Sequence, residues 1–226
     1  MRAPVTDRRR QTVDGVLARR QPDLTVLAER LHKPRNFSAI VRSCDAVGVN
    51  EVHAVPGEDG MRVHWNTSQG AEKWMNVRAH ESVPAACAYL RQKGFQLVAA
   101  HLSEQAIDYR DIDYTRPTAL VVGTELFGVS DEALAESDCQ VMIPMKGMTQ
   151  SLNVSVACAI VMYEALRQRE EKGLYDSTRL DGETLRVQRF EWRHPVVARF
   201  CRERGLEYPE IDEDGNVTGS FPRGMT

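Results

Sequence analysis

Four short apolar runs, at residues 49–55, 97–100, 119–122 and 141–143, recur along the chain with helical patterns between them. A strand that is apolar at nearly every position has to be buried on both faces, and helices packed on each side are the usual cover. One helical pattern spans residues 37–47, with Ile40, Cys44 and Val47 on a single stripe and Gly48 at its end. A second spans 83–93, opened by Ser82 and closed by Gly94. A third starts after Ser130, where Asp131 and Glu132 suit the positive end of a helix dipole, and a fourth covers 154–172. The alternation predicts an α/β fold: a mostly parallel sheet with helices on both faces.

The flanks differ in character. Residues 8–20 read as a short basic helix, and residues 185–204 interleave Arg with Phe190, Trp192, Val196, Val197 and Phe200 in a second helical stretch. This reading divides the chain into a basic amino-terminal extension (1–22), a core domain (23–172) and a carboxyl-terminal helical extension with a polar tail (173–226). The net charge of −3 conceals an uneven distribution, with six Arg in residues 1–20 and five acids without a base in residues 207–214. A locally basic surface is therefore compatible with the composition. Five scattered Cys fit reduced core thiols and a cytoplasmic location. No apolar run approaches the roughly 20 residues of a membrane span. The six His are spread singly, which speaks against a metal site, and Trp65 and Trp74 read as packing residues.

Three segments stand where a strand hands over to a helix and backbone groups are left free to read a ligand. In Asn36-Phe-Ser-Ala-Ile-Val-Arg42, Asn36 occupies the place of an N-cap, and capping alone accounts for it. Arg42 lies about 200° around the helix from Ile40 and Cys44, away from the buried stripe. It is either a solvated charge paired with Asp45 or a residue facing a ligand. Gly123-Thr-Glu125-Leu-Phe-Gly128 follows an apolar run directly. The carboxyl edge of an open sheet is where such folds bind ligands, but a lone Gly-x-Glu-x-x-Gly also fits an ordinary turn. In Ile143-Pro-Met-Lys-Gly-Met-Thr-Gln-Ser-Leu-Asn-Val-Ser-Val-Ala157, Ser151 and Asn153 either cap the next helix or serve a site. Phosphate-loop, zinc-protease, Cys-x-x-Cys and nucleophile-elbow motifs are all missing.

Taken together, these segments resemble the three motifs of the SPOUT superfamily of methyltransferases in order and spacing. His32-Lys-Pro-Arg-Asn36-Phe-Ser-Ala-Ile-Val-Arg42, Asp113-Tyr-Thr-Arg-Pro117 and Gly147-Met-Thr-Gln-Ser-Leu-Asn-Val-Ser155 resemble the TrmH type, the tRNA (guanosine 2'-O) methyltransferases of guanosine 18 in the D-loop. The likeness covers about residues 19–169 and continues more loosely through Tyr208-Pro209. It implies a sheet whose carboxyl-terminal part is threaded into a deep trefoil knot, S-adenosylmethionine bound within the knotted loops, and a homodimer that builds each site from two subunits. Ala100, Gly123, Glu125, Ile143, Met148 and Leu152 would line the cofactor pocket, and Asn36 and Arg42 would face the ribose with Ser151 and Asn153. Arg8, Arg9, Arg10, Arg19 and Arg20 would contact tRNA phosphates. The alternatives are 2'-O-methylation of another RNA, ribosomal or anticodon-loop, and an RNA-binding protein of the same fold without turnover.

Overall fold

The computed structural model describes residues 5–57, 74–212 and 215–218; Trp65 and the rest of 58–73 lie outside the described residues. These group into two compact units, one of residues 21–175 and one drawn from both ends of the chain, 1–20 and 176–226. The extensions read separately from the sequence thus share one unit.

Among the described residues of the core unit, seven strands form one sheet: β1 (Leu24–Glu29), β2 (Glu51–Val55), β3 (Asn76–Ala79), β4 (Gln96–Ala100), β5 (Ile107–Asp108), β6 (Thr118–Val122) and β7 (Cys139–Met142). Their order is β3-β2-β1-β6-β4-β7-β5, and all the pairings are parallel. Alternation along β6 shows why both faces need cover. Leu120 and Val122 join a core with Phe37, Ile40 and Cys44 of α2 (Pro34–Ala46) and Cys158, Val161 and Met162 of α5 (Val154–Glu171). Ala119 and Val121 face the other way, onto Val83, Cys87 and Leu90 of α3 (Val83–Gln92) and Ala133 of α4 (Asp131–Ala135).

Ser82, Ser130 and Asn153 cap α3, α4 and α5, each accepting a backbone N–H with its side-chain oxygen. Asn36 does not cap α2. The helix begins two residues earlier at Pro34, with Lys33 as N-cap and no side-chain bond from it, so Asn36 lies buried in the first turn. Proline at the first position supplies a preset φ, and that moves the boundary. The strand β1 goes beyond the four runs read from the sequence, since Thr25 and Glu29 interrupt its apolar pattern although all six of its residues are buried.

The terminal unit contains α1 (Asp7–Leu17), α6 (Gly182–Arg193) and α7 (Pro195–Arg204). What reads as one stretch over 185–204 is two helices, broken where His194 leaves helical geometry (φ −126°, ψ 56°) ahead of Pro195. Asp14 of α1 takes both Arg189 and Arg193 of α6, at 3.0 and 2.6 Å. No helix among the described residues is long and apolar enough to cross a membrane.

Candidate active site

With every strand parallel, the carboxyl ends lie along one edge, and the loops after β1, β4, β6 and β7 meet there. They enclose a cavity of about 560 Å³. The loop after β6 is held by its own backbone: Thr124 N donates to Gly128 O at 2.8 Å and Gly128 N to Thr124 O at 2.9 Å. A Cβ on Gly123 would fall 1.9 Å from the Gly128 carbonyl oxygen, and Gly128 has a φ of +70°. The two glycines of this segment therefore have separate reasons, close approach for one and a left-handed backbone for the other.

Glu125 projects from this loop to the start of α2. Its carboxylate accepts the backbone N–H groups of His32 (3.1 Å) and Lys33 (3.0 Å) and the Asn36 side-chain amide (2.8 Å). A carboxylate from another loop thus supplies the α2 end with the acceptor that Lys33 lacks. Burial pushes the Glu125 carboxyl up, but the hydrogen bonds from Asn36 and from backbone N–H groups outweigh it, leaving the group below the ordinary carboxylate range. Asn36 in turn accepts from the Asn153 amide at 3.2 Å, and Asn153 accepts from the Ser155 N–H and hydroxyl at 2.9 and 2.6 Å. Glu125, Asn36 and Asn153 join all three sequence segments in one hydrogen-bonded chain.

A match to the SpoU rRNA Methylase family covers residues 23–163, and one to the SpoU rRNA methylase carboxyl-terminal family covers 167–220. The chain belongs to the SpoU methylase family. It is 47% identical over 205 residues to the tRNA (guanosine(18)-2'-O)-methyltransferase of Escherichia coli K12, covering 89% of each protein. Among solved structures it is similar to the A. aeolicus TrmH/SpoU tRNA modifying enzyme, with a TM-score of 0.77 and 42% identity over 84% of this chain and 96% of that one. It is also similar to the SpoU methyltransferase AviRb from Streptomyces viridochromogenes in complex with AdoMet, at a TM-score of 0.60 and 28% identity, covering 67% of this chain and 62% of that one.

In this SpoU chain, Ala100, Gly123, Glu125, Ile143, Ser151, Leu152 and Asn153 all line the cavity. Met148, Arg42 and Asn36 do not, and Asn36 reaches the lining only through its bonds to Glu125 and Asn153. Met148 is 99% exposed on the loop after β7. Arg42 is exposed on α2. Lys33 and His101 line the cavity without having been singled out as site residues. Their available signal was position, since each follows the carboxyl end of a strand.

The basic residues of the terminal unit separate into distinct settings. Arg8 and Arg19 are exposed, Arg9 donates to the Trp192 carbonyl at 2.7 Å, and Arg10 pairs with Asp7. Arg20 is a correction to the sequence reading. It is wholly buried with its guanidinium 5.1 Å from the Trp192 ring centre, where it braces the unit and is out of reach of a phosphate.

Proposed function

We propose that this SpoU methylase transfers the methyl group of S-adenosylmethionine to the ribose 2'-hydroxyl of guanosine 18 in tRNA. The observation that carries the reading is the Glu125–Asn36–Asn153 chain at the edge of one 560 Å³ cavity. A cavity of that volume is in the range that encloses a small-molecule ligand. Its walls combine apolar Ala100, Val141, Ile143 and Leu152 with the residues of the glycine loop, a lining that suits a nucleoside carrying an amino-acid tail. When bound, S-adenosylmethionine supplies a methyl carbon made electrophilic by positive sulfur. The protein's own task is orientation and the handling of one proton.

Asn36, Ser151 and Asn153 would order the ribose side, with Glu125 fixing Asn36 from behind. Arg42 offers a planar guanidinium with five donors. Its role on this reading is to hold a phosphate and stabilise the developing oxyanion while water takes the proton. Arg42→Ala should lower single-turnover methylation by about 100-fold or more while leaving donor binding intact. Wild-type rates in that variant would remove Arg42 from the reaction.

We further propose that the loop of residues 143–153 is threaded as a trefoil knot and that two copies build each site. Leu102, Leu126, Phe127 and Met148 are 66–99% exposed, apolar, and lie on loops that carry the cavity, which supports a second copy covering them. Such cover would also enclose Met148 and bring in an Arg42 that its own chain leaves outside the cavity. The five free Cys support a reducing compartment, and the cytoplasm fits. Ribosomal RNA is the second reading, favoured by the family's name. The tRNA enzyme of E. coli, however, matches 89% of the chain. Incubation with unmodified tRNA and the methyl donor, followed by nucleoside mass spectrometry, decides between them: 2'-O-methylguanosine at position 18 is expected, and methyl elsewhere or none refutes the proposal.

A further inference from the structure

Most exposed Arg among the described residues already have acids. Arg78 is bonded to Glu51, Arg91 to Asp138, Arg110 to Asp108, Arg167 to Glu164 and Glu171, Arg186 to Glu183, and Arg202 to Glu191. Around the start of α2 the pattern reverses. His32, Lys33, Arg35 and Arg42 are all exposed, and among the described residues none of their side chains has a hydrogen bond or an ion pair. The nearby acid, Glu125, bonds the backbone of His32 and Lys33 and the Asn36 amide, not the side chains of the cations. A cation without an internal partner gives up nothing when a polyanion arrives, whereas a paired one must first release its acid.

Position gives this cluster a direction. Lys33 lines the cavity. Arg35 and Arg42 are seven residues apart on α2, two turns on the same face and about 10 Å along the axis. A nucleic-acid strand that places one nucleotide in the cavity therefore meets a row of unengaged positive charge on leaving it.

We propose that Lys33 and Arg35 grip the phosphates flanking the target nucleotide, so that the register of the RNA strand over the cavity is set by the loop before α2 and its first turn. This inference rests on the methyl-transfer reading and adds to it a positioning role for two residues outside the catalytic chain. Phosphate contacts fix register and carry no base information, so specificity for guanosine lies elsewhere in the site.

The test measures binding of an unmodified tRNA transcript to the full-length protein across a salt series, together with steady-state methylation. Lys33→Gln and Arg35→Gln should each lower the log–log salt slope by about 0.7–0.9, so that the wild type loses about threefold more affinity per contact than the variant between about 50 and about 200 mM salt. The double variant should raise KM for tRNA by about tenfold and leave KM for the donor unchanged. Lys33→Arg and Arg35→Lys keep the charge and should keep the slope, a rescue that a merely structural role would not predict. Arg167→Gln, which removes a paired cation, should match the wild type. If the wild type methylates tRNA and the double variant shares its slope and KM, or if Arg167→Gln loses as much, the grip is overturned while the methyl-transfer reading stands. If the wild type binds tRNA without methylating it, that reading fails, and the slopes alone decide the grip.

Discussion

The Glu125 carboxylate sits on the loop after β6, yet the groups it holds belong to the start of α2. Three donors hold it, and through one of them, Asn36, it orders the side of the cavity opposite its own loop. A glutamine in its place would turn an N–H toward one of those donors, and the loss should fall on kcat, by up to about 100-fold, more than on tRNA binding. The same bonds make a pH prediction. Because Glu125 is lowered in the folded protein, its contribution to stability is fully present above the unfolded value of about 4.3 and is lost as pH falls through the lower folded value. The stability gap between wild type and Glu125→Gln should therefore be constant near neutrality and shrink as pH drops below about 4.3. Urea unfolding at several pH values checks this, and a gap that stays unchanged into the acid range counts against it. The neighbouring glycines suited Glu125 to a ligand loop or an ordinary turn, and the family resemblance implied the cofactor pocket. That Glu125 holds α2 was not legible, since the donors are about ninety residues away along the chain, 89 in the case of Asn36.

At the scale of elements, most boundaries were legible because their signals are local. Ser82, Ser130 and Asn153 each satisfy an N–H two or three residues on, so the capping residue and the helix it opens are adjacent in sequence. The start of α2 was not, because its acceptor comes from another loop. Nor was the role of Arg169 at the far end of α5. This arginine is fully buried, donates to the carbonyls of Tyr114, Asp23 and Arg116 and to the Gln21 side chain, and pairs with Asp23 at 2.7 Å. It ties the last turns of α5 to the segments entering β1 and β6, and only a guanidinium has enough donors in one plane to do so. Arg169→Ala would take this buried guanidinium away from the Asp23 carboxylate and the Tyr114 carbonyl, while the Asp23 and Arg116 carbonyls keep Thr118 as a donor. The expected cost is about 3–5 kcal/mol, read as a drop in the urea midpoint with unchanged slope. A loss under about 1 kcal/mol would mean that water replaces the clamp.

For the whole molecule, the exposed apolar residues beside the cavity make a prediction that no single segment does. Phe127→Asp should convert the proposed dimer to a monomer and remove turnover while the fold is kept, with sedimentation velocity and circular dichroism as the readouts. An active monomer would leave the exposed loops without the assigned partner. By itself, the amino-acid sequence determined the α/β alternation, the caps of α3, α4 and α5 and the places of the three loop segments, because each depends on periodicity or on a bond spanning a few residues. Only the tertiary structure decided that Asn36, Glu125 and Asn153 form one chain, that Arg20 and Arg169 are buried while Lys33 and Arg35 stand unpaired, and that both ends of the chain fold into one unit. The physical reason is distance along the chain: Asn36 and Asn153 are separated by 117 residues, and their meeting follows from the order in which parallel strands are laid down, which no local pattern encodes.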